Sequence, residues 1–308
     1  MTGHVSVADA IRAGAARMAE HDPLCARIDA ETLMAHALGL PRSQMLLHAM
    51  REPVPHTFDA LVERRMAHEP VAYIVGEAEF WGRDFAVSRD VLIPRGDSEA
   101  LIRAALDGAG EAGRVLDLGT GSGALLVTFL AERPGWRGAG TDRCDAALAV
   151  ARRNAERHGV ADRAAFERAD WSIVGWERGL GTRSFDLVLC NPPYIELSAP
   201  LDVGVRAFEP AGALFAGDDG LADYRVLLPQ LPHLLAPRGF ALFEIGHTQF
   251  EAVAELAGAN GFSASLERDL AGRPRCAVLR AGGDLHSRTG EGLAKGGTIA
   301  TSSHTDRR

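Results

Sequence analysis

From Val7 to about Glu69 the apolar residues recur at helical spacing. Ile11, Ala15 and Met18 share one face, Leu24, Ile28 and the Leu33/Met34 pair a second, and Phe58, Leu61, Val62 and Met66 a third. Pro41, Pro53 and Pro55 punctuate these segments, so the pattern predicts a set of short helices that ends at Glu69-Pro70. Beyond it, residues 80–87 and 91–93 read as a β-hairpin, with Gly82 and the Arg89-Asp90 corner as turn material. A helix from Asp97 to about Leu106 leads into a second region where short apolar runs alternate with amphipathic segments. Strands are expected at 115–118, 138–141, 164–169, 185–190, 240–245, 262–266 and 276–279. Helices are expected at 122–132, 145–158, 221–235 and 248–259. Strand–helix alternation of this kind predicts a parallel sheet covered on both faces, an α/β fold.

The expected organisation is a helical domain at 1–76, a β-hairpin linker at 77–96, an α/β domain at 97–280 and a disordered tail at 281–308. The tail is rich in Gly, Ser and Thr and poor in large apolar groups. A length of 308 residues and 46% hydrophobic composition suit a two-domain globular protein. The formal charge of −8 lacks the basic surplus of a protein that lives on nucleic acid. Cys25, Cys144, Cys190 and Cys276 are far apart and form no C-x-x-C pair, which points to reduced thiols in the cytoplasm and to no metal. No apolar stretch approaches the ~18 residues of a membrane span, and no secretory leader is evident. A monomer is expected.

The chemistry begins where the strand at 185–190 meets Asn191-Pro192-Pro193-Tyr194. Neither proline has an N–H for a sheet ladder, so the strand stops there and Asn191 is held extended. A carboxamide and the carbonyl of Pro192 are left at the carboxyl end of a strand, the edge where open α/β sheets bind ligands. Together they can accept both hydrogens of one planar NH2 group, with the ring of Tyr194 beside them. His158 and His247 fall on helices or their starts and read as structural.

A second cluster, Asp117-Leu118-Gly119-Thr120-Gly121-Ser122-Gly123, follows another strand and opens a helix. Glycines there let a ligand approach without a Cβ in the way. Asp142, at the end of the next strand, suits ribose hydroxyls. Gly119-x-Gly121-x-x-Ala124 with an acid some twenty residues on also satisfies the dinucleotide fingerprint, so the loop by itself specifies an adenosine-containing cofactor but not which. Asp117 tips the choice: a carboxylate beside the loop repels a pyrophosphate but suits the cationic groups of S-adenosylmethionine. Asp170-Trp171 adds an acceptor for an adenine amine and a flat apolar neighbour.

The chain resembles the HemK/PrmC-type peptide chain release factor N5-glutamine methyltransferases. The resemblance rests on Glu69-Pro70-Val71-Ala72-Tyr73-Ile74-Val75-Gly76, Glu79-Phe80-Trp81-Gly82 and Leu92-Ile93-Pro94-Arg95, besides the two clusters above. Glu244-Ile245-Gly246 and Asp269-Leu270-Ala271-Gly272-Arg273 complete it. The family usually follows its Pro-Arg with Pro-Asp-Thr-Glu, whereas this chain has Gly96-Asp97-Ser98-Glu99, which puts the rigidity of that loop in question. The resemblance implies a class I S-adenosylmethionine-dependent methyltransferase, Rossmann-like, with a seven-stranded sheet whose last strand is antiparallel. It also implies a helical N-terminal domain that grips a release factor at its Gly-Gly-Gln loop. Cofactor contacts then map to Asp117, Gly119, Thr120, Gly121, Gly123, Asp142, Asp170, Trp171 and Asn191. Substrate contacts map to Asn191, Pro192, Pro193 and Tyr194, of which Asn191, Pro192 and Tyr194 carry the catalysis. Two rivals stay open: a ribosomal-protein glutamine methyltransferase, and an adenine-N6 nucleic-acid methyltransferase. Against the second stand the acids at 196–223 (Glu196, Asp202, Glu209, Asp218, Asp219 and Asp223), which face one cation, Arg206.

Overall fold

The computed structural model describes residues 5–20, 22–180 and 184–282. Helices Val7–Met18, Ala26–Leu38 and Phe58–Met66 and the short turn Val71–Val75 enclose a core of their own, built on Ile11, Leu33, Met34, Met45, Phe58 and Val62. Ser6 caps the first helix by accepting the Asp9 N–H. Two residues assigned to the core face lie elsewhere. Leu24 precedes the second helix and is 90% exposed, and Ile28 is 56% exposed, whereas Leu33 and Met34 are fully buried. Ile28 stands five and six residues before Leu33 and Met34, a spacing that drifts off one helical face.

Strands β1 (Glu77–Phe80) and β2 (Arg83–Ala86) form the hairpin. Its turn is Trp81-Gly82, with φ of 54° and 66°, the mirror-image geometry that matches strand twist. Residues 91–93 are not a strand, contrary to expectation. They form an irregular segment in which the Val91 carbonyl accepts the buried Tyr73 hydroxyl at 2.6 Å.

The main sheet comprises β3 (Ala112–Leu118), β4 (Gly135–Asp142), β5 (Ala164–Arg168), β6 (Phe185–Cys190), β7 (Leu235–Glu244), β8 (Phe262–Arg268) and β9 (Pro274–Ala281). Its order is β5-β4-β3-β6-β7-β9-β8, and only β9 runs antiparallel to its neighbours. Alternate residues feed two cores. Val115, Leu187, Leu189 and Leu242 pack beneath helices Glu99–Gly108 and Ala124–Glu132. Leu116, Val188, Ala241 and Phe243 pack on the other face with Leu227, Leu231 and Val253. β9 reaches Ala281, and the tail expected beyond it lies, from residue 283, outside the described residues.

The single helix expected over 221–235 is broken into Ala222–Leu227, a tight turn at Leu228–Gln230, and Leu231–Leu234. Pro229 and Pro232 each remove an N–H, so no continuous ladder can form. Fully buried Asn154 joins three elements. Its Oδ1 accepts the Ala86 N–H at 2.8 Å, and its Nδ2 donates to the carbonyls of Ala86 at 3.0 Å and Ser122 at 2.8 Å. The hairpin is thereby tied to helix Asp145–Arg157 and to the glycine turn.

Candidate active site

The chain builds outward through β3, β4 and β5, then crosses back to place β6 on the far side of β3. A crevice opens where such a sheet reverses, beyond the carboxyl ends of its strands. Here it holds a cavity of about 430 Å³, within the range of small-molecule sites. Gly119, Thr120 and Gly121 form part of its wall, with Asp142, Asp170 and Trp171 on one side and Asn191 and Pro193 on another. Segment 89–98 closes it through Val91, Leu92, Pro94, Arg95 and Ser98.

The glycine turn is held from below and beside. Gly119 has φ of 70°, and a Cβ there would stand 3.0 Å from the Trp171 ring, so only glycine lets the indole lie against the turn. Asp142 accepts the Gly121 N–H at 3.0 Å through Oδ2 and the Cys144 N–H at 2.9 Å through Oδ1. Trp171 is fixed by donating its indole N–H to Asp223 at 2.7 Å. Burial raises the Asp223 carboxyl above its ordinary value.

Three of the four strand-end polar residues, Asp142, Asp170 and Asn191, border the cavity; Asp117 does not. It lies under the turn, fully buried, where Oδ2 accepts the Thr120 hydroxyl at 2.7 Å and Oδ1 finds no partner among the described residues. Burial pushes its pKa to about 7. Asp170 stands two residues past the end of β5 and turns its carboxylate onto Ser172, accepting the backbone N–H at 3.0 Å and the hydroxyl at 2.6 Å. Gly123 is also set back from the wall. Its φ of 80° starts helix Ala124–Glu132, and a Cβ there would meet Ala151 at 3.2 Å.

Beyond β6, Asn191 is half-buried while Pro192 and Pro193 are buried. A parallel bridge of Ile195 to Phe215 clamps the segment, and Gln249 donates to the Tyr194 carbonyl at 3.0 Å. The Asn191 Nδ2 donates to the Ser98 hydroxyl at 3.3 Å, which leaves its Oδ1 as an acceptor. Tyr194 does not present its ring to the cavity wall. It points inward and donates its hydroxyl to Glu244 at 3.2 Å, and burial raises its pKa. Pro192 stands behind Asn191, off the wall.

Loop Gly96-Asp97-Ser98-Glu99 is pinned despite its departure from the family pattern. Asp97 pairs with Arg275 at 2.8 Å and Arg273 at 3.1 Å, and Glu99 accepts the Trp81 N–H at 3.2 Å. Four of the six acids at 196–223 have partners within the fold. Glu209 is buried against Arg95, Asp202 caps helix Val203–Phe208, Asp219 pairs with Arg225 at 2.5 Å, and Asp223 holds Trp171. Glu196 and Asp218 stay exposed, and Arg89, Arg95 and Arg143 stand on the cavity wall. The site residues that the sequence did not single out are Ser98, Asp223 and Glu244. Only the motifs around Ser98 and Glu244 carried a signal.

The site fits S-adenosylmethionine on these grounds: a glycine wall that admits close approach, an indole laid on it, a strand-end carboxylate and one orphaned buried oxygen beneath. Among the described residues no helix is long and apolar enough to cross a membrane. Residues 9–76 match the PrmC N-terminal domain, and residues 97–217 match the methyltransferase small domain. The release factor glutamine methyltransferase of Cereibacter sphaeroides is 44% identical over 89% of this chain and 98% of its own. That of Nitratidesulfovibrio vulgaris is 39% identical over 91% and 96%. Among solved structures, the hMettl16 catalytic domain in complex with a MAT2A 3'UTR hairpin shares the fold, with a TM-score of 0.50 and 17% identity over 65% of this chain and 76% of that one. A mixed seven-stranded sheet, a cavity at its reversal point and this extent of identity carry one conclusion: the chain belongs to the release factor glutamine methyltransferase family.

Proposed function

We infer that this protein transfers a methyl group from S-adenosylmethionine to the side-chain amide nitrogen of a glutamine in peptide chain release factors, at their Gly-Gly-Gln motif. The observation that carries the reading is that Asn191 and the glycine turn open onto one cavity. Bound there, S-adenosylmethionine supplies an electrophilic methyl on a sulfonium. The chain has to make an amide nitrogen, whose lone pair is delocalised into its carbonyl, lie in line with that methyl.

Asn191 Oδ1, on the cavity wall, accepts one amide hydrogen, and the second is assigned to the Pro192 carbonyl, which has to come forward from behind Asn191 as the glutamine enters. As the nitrogen attacks the methyl and takes on positive charge, its N–H groups become more acidic, so both hydrogen bonds strengthen toward the transition state. Interactions of that kind raise the chemical rate rather than merely tightening binding. Fixing the nitrogen on a rigid kink contributes further, up to ~7–11 kcal/mol in ideal intramolecular cases. No strong base is required, because the proton can leave after the methyl has arrived. Gly119, Thr120, Gly121, Asp142, Asp170 and Trp171 hold the cofactor, with Asp117 and Gly123 shaping the turn from behind. Pro193 and Tyr194 keep the kink rigid.

The enzyme works in the cytoplasm as a monomer, on a protein substrate, without a membrane or nucleic acid partner. The four unpaired cysteines support a reducing compartment. The helical domain at 1–76 receives the release factor, and the hairpin at 77–96 links it to the methyltransferase domain at 97–280. The test offers release factor, ribosomal protein and DNA separately with labelled cofactor, followed by mass spectrometry of the product. One added methyl on the Gly-Gly-Gln glutamine is expected, with no label in DNA. Label in ribosomal protein or DNA alone would overturn the reading.

A further inference from the structure

The three arginines on the cavity wall differ in what holds them. Arg89 donates to Glu69 at 2.8 Å and lies over the Phe208 ring at 4.8 Å. Arg95 donates to buried Glu209. The Arg143 guanidinium has no hydrogen bond or ion pair among the described residues. Asp170 and Asp223 feel its charge, but their carboxylates bond Ser172 and the Trp171 indole instead. Arg143 is exposed, and its guanidinium is seated on the backbone of Gly212. A Cβ on Gly212 would overlap Nη2 and stand 2.9 Å from Cζ. Gly212 belongs to the turn Ala211–Ala213 and lines the cavity as well. The Arg143 side chain therefore crosses from the carboxyl end of β4 to that turn, on the side of the cavity that carries Asp142, Asp170 and Trp171.

A guanidinium in that place can act in few ways. It repels a sulfonium and an ammonium, so it does not suit the methyl-bearing centre. It attracts a carboxylate, and it packs its plane on an aromatic face. S-adenosylmethionine offers a carboxylate on its amino-acid half and a purine on its adenosine half. Asp142, the ribose partner in the reading above, immediately precedes Arg143, and Asp170 and Trp171, placed there at the purine, share its side of the cavity. That neighbourhood favours the adenosine half. With no ion pair to break, the guanidinium is also free to settle on a ligand that enters.

We propose that Arg143, seated on Gly212, is a cofactor-binding residue that closes the cavity over the purine of S-adenosylmethionine. This deepens the methyl-transfer reading and rests on it. Arg143 touches neither the sulfonium nor the substrate amide, so it acts on cofactor affinity and not on the chemical step. Gly212 is part of the arrangement, because any side chain there unseats the guanidinium.

The test is titration calorimetry of the full chain with S-adenosylmethionine, S-adenosylhomocysteine and methylthioadenosine, the last of which keeps purine and ribose but lacks the carboxylate. Arg143→Ala is expected to weaken all three by the same factor, about threefold to tenfold, as loss of a partly exposed cation–π contact does. Because Arg143 is exposed and bonds nothing through its guanidinium, the variant is expected to melt with the wild type. Arg143→Lys keeps the charge without the plane and is expected to recover little of the loss. Gly212 has no left-handed backbone, so Gly212→Ala is tolerated. It is expected to weaken binding in the wild type and to add nothing in Arg143→Ala, the mark of two residues acting as one. Unchanged methylthioadenosine affinity in Arg143→Ala overturns the proposal. A loss confined to the two ligands that carry the amino-acid half moves the contact to the carboxylate and overturns it as well. So do full rescue by lysine, additive losses at 143 and 212, or a wild type that binds S-adenosylmethionine but not methylthioadenosine. A wild-type chain that binds none of the three would instead sink the cofactor reading, so the two failures are distinct.

Discussion

At the scale of single residues, the proposed roles separate groups that face the substrate from groups that hold the cofactor, and variants should divide accordingly. Asn191→Ala removes an acceptor that tightens only during attack, so turnover should fall on the order of a hundredfold while cofactor affinity changes little. Asp142→Ala removes the acceptor of the Gly121 and Cys144 N–H groups, and with it the ribose partner we propose. Its main effect should be a loss of about tenfold or more in S-adenosylmethionine affinity by titration calorimetry. Asp117 offers a pH signature. Burial lifts its pKa from 3.8 to about 7, so the folded chain keeps a proton that the unfolded chain has already released. Stability should therefore fall as pH rises from about 4 to about 7 and level off above, by up to roughly 4 kcal/mol. Asp117→Asn cannot ionise. Denaturant unfolding at about pH 5 and about pH 8 should show the variant gaining on the wild type at the higher pH. A constant difference between the two proteins would mean that Asp117 does not titrate in that window.

At the scale of elements, legibility followed how local the controlling physics is. The strands leading to Asp117 and Asn191 were readable because their apolar runs stop at Gly119 and at Pro192, which puts each side chain near a carboxyl end. The hairpin's partner strand was misjudged because 91–93 is apolar for a different reason: Val91 and Ile93 pack in a small core with Tyr73 and Val87. Its backbone bonds to a distant tyrosine rather than to a neighbouring strand. Tyr194 was expected to set its ring beside the substrate amide, and only tertiary placement of Glu244, fifty residues on, turns it inward. The acidic stretch at 196–223 hides its pairing for the same reason, since Glu209, Asp223 and Asp219 take their partners Arg95, Trp171 and Arg225 from outside it. Asn154 was silent in the sequence because a buried asparagine on a helix looks like an exposed one. Replacing it by alanine should leave the Ala86 N–H and two carbonyls without partners, at a cost of about 2–4 kcal/mol. Because one of those carbonyls belongs to Ser122 in the glycine turn, thermal stability and cofactor affinity should fall together. A normal melting temperature in Asn154→Ala would show that water replaces the side chain there.

At the scale of the whole molecule, the helical region and the sheet are separate cores joined through the segment that walls the cavity. Tyr73 reaches from the helical side to the Val91 carbonyl, and Glu69 accepts Arg64 at 2.8 Å and Arg89 at 2.8 Å. Those bonds hold the Glu69 carboxyl near its charged form, with a pKa of about 2. Arg89 and Val91 both line the cavity, so contact made by a protein substrate on the helical core bears on the wall that positions Asn191. Binding energy from remote parts of a substrate raises the rate only if it is delivered to the reacting centre. The expected consequence is that full-length release factor is methylated with a kcat/KM at least about a hundredfold above that of a short peptide containing Gly-Gly-Gln, with part of the gain in kcat. Tyr73→Phe leaves the Val91 carbonyl unpaired and should cut that advantage while leaving the slow peptide reaction nearly unchanged. Equal efficiency on peptide and protein would mean that the cavity alone recognises the glutamine, and that the helical core contributes stability rather than selection.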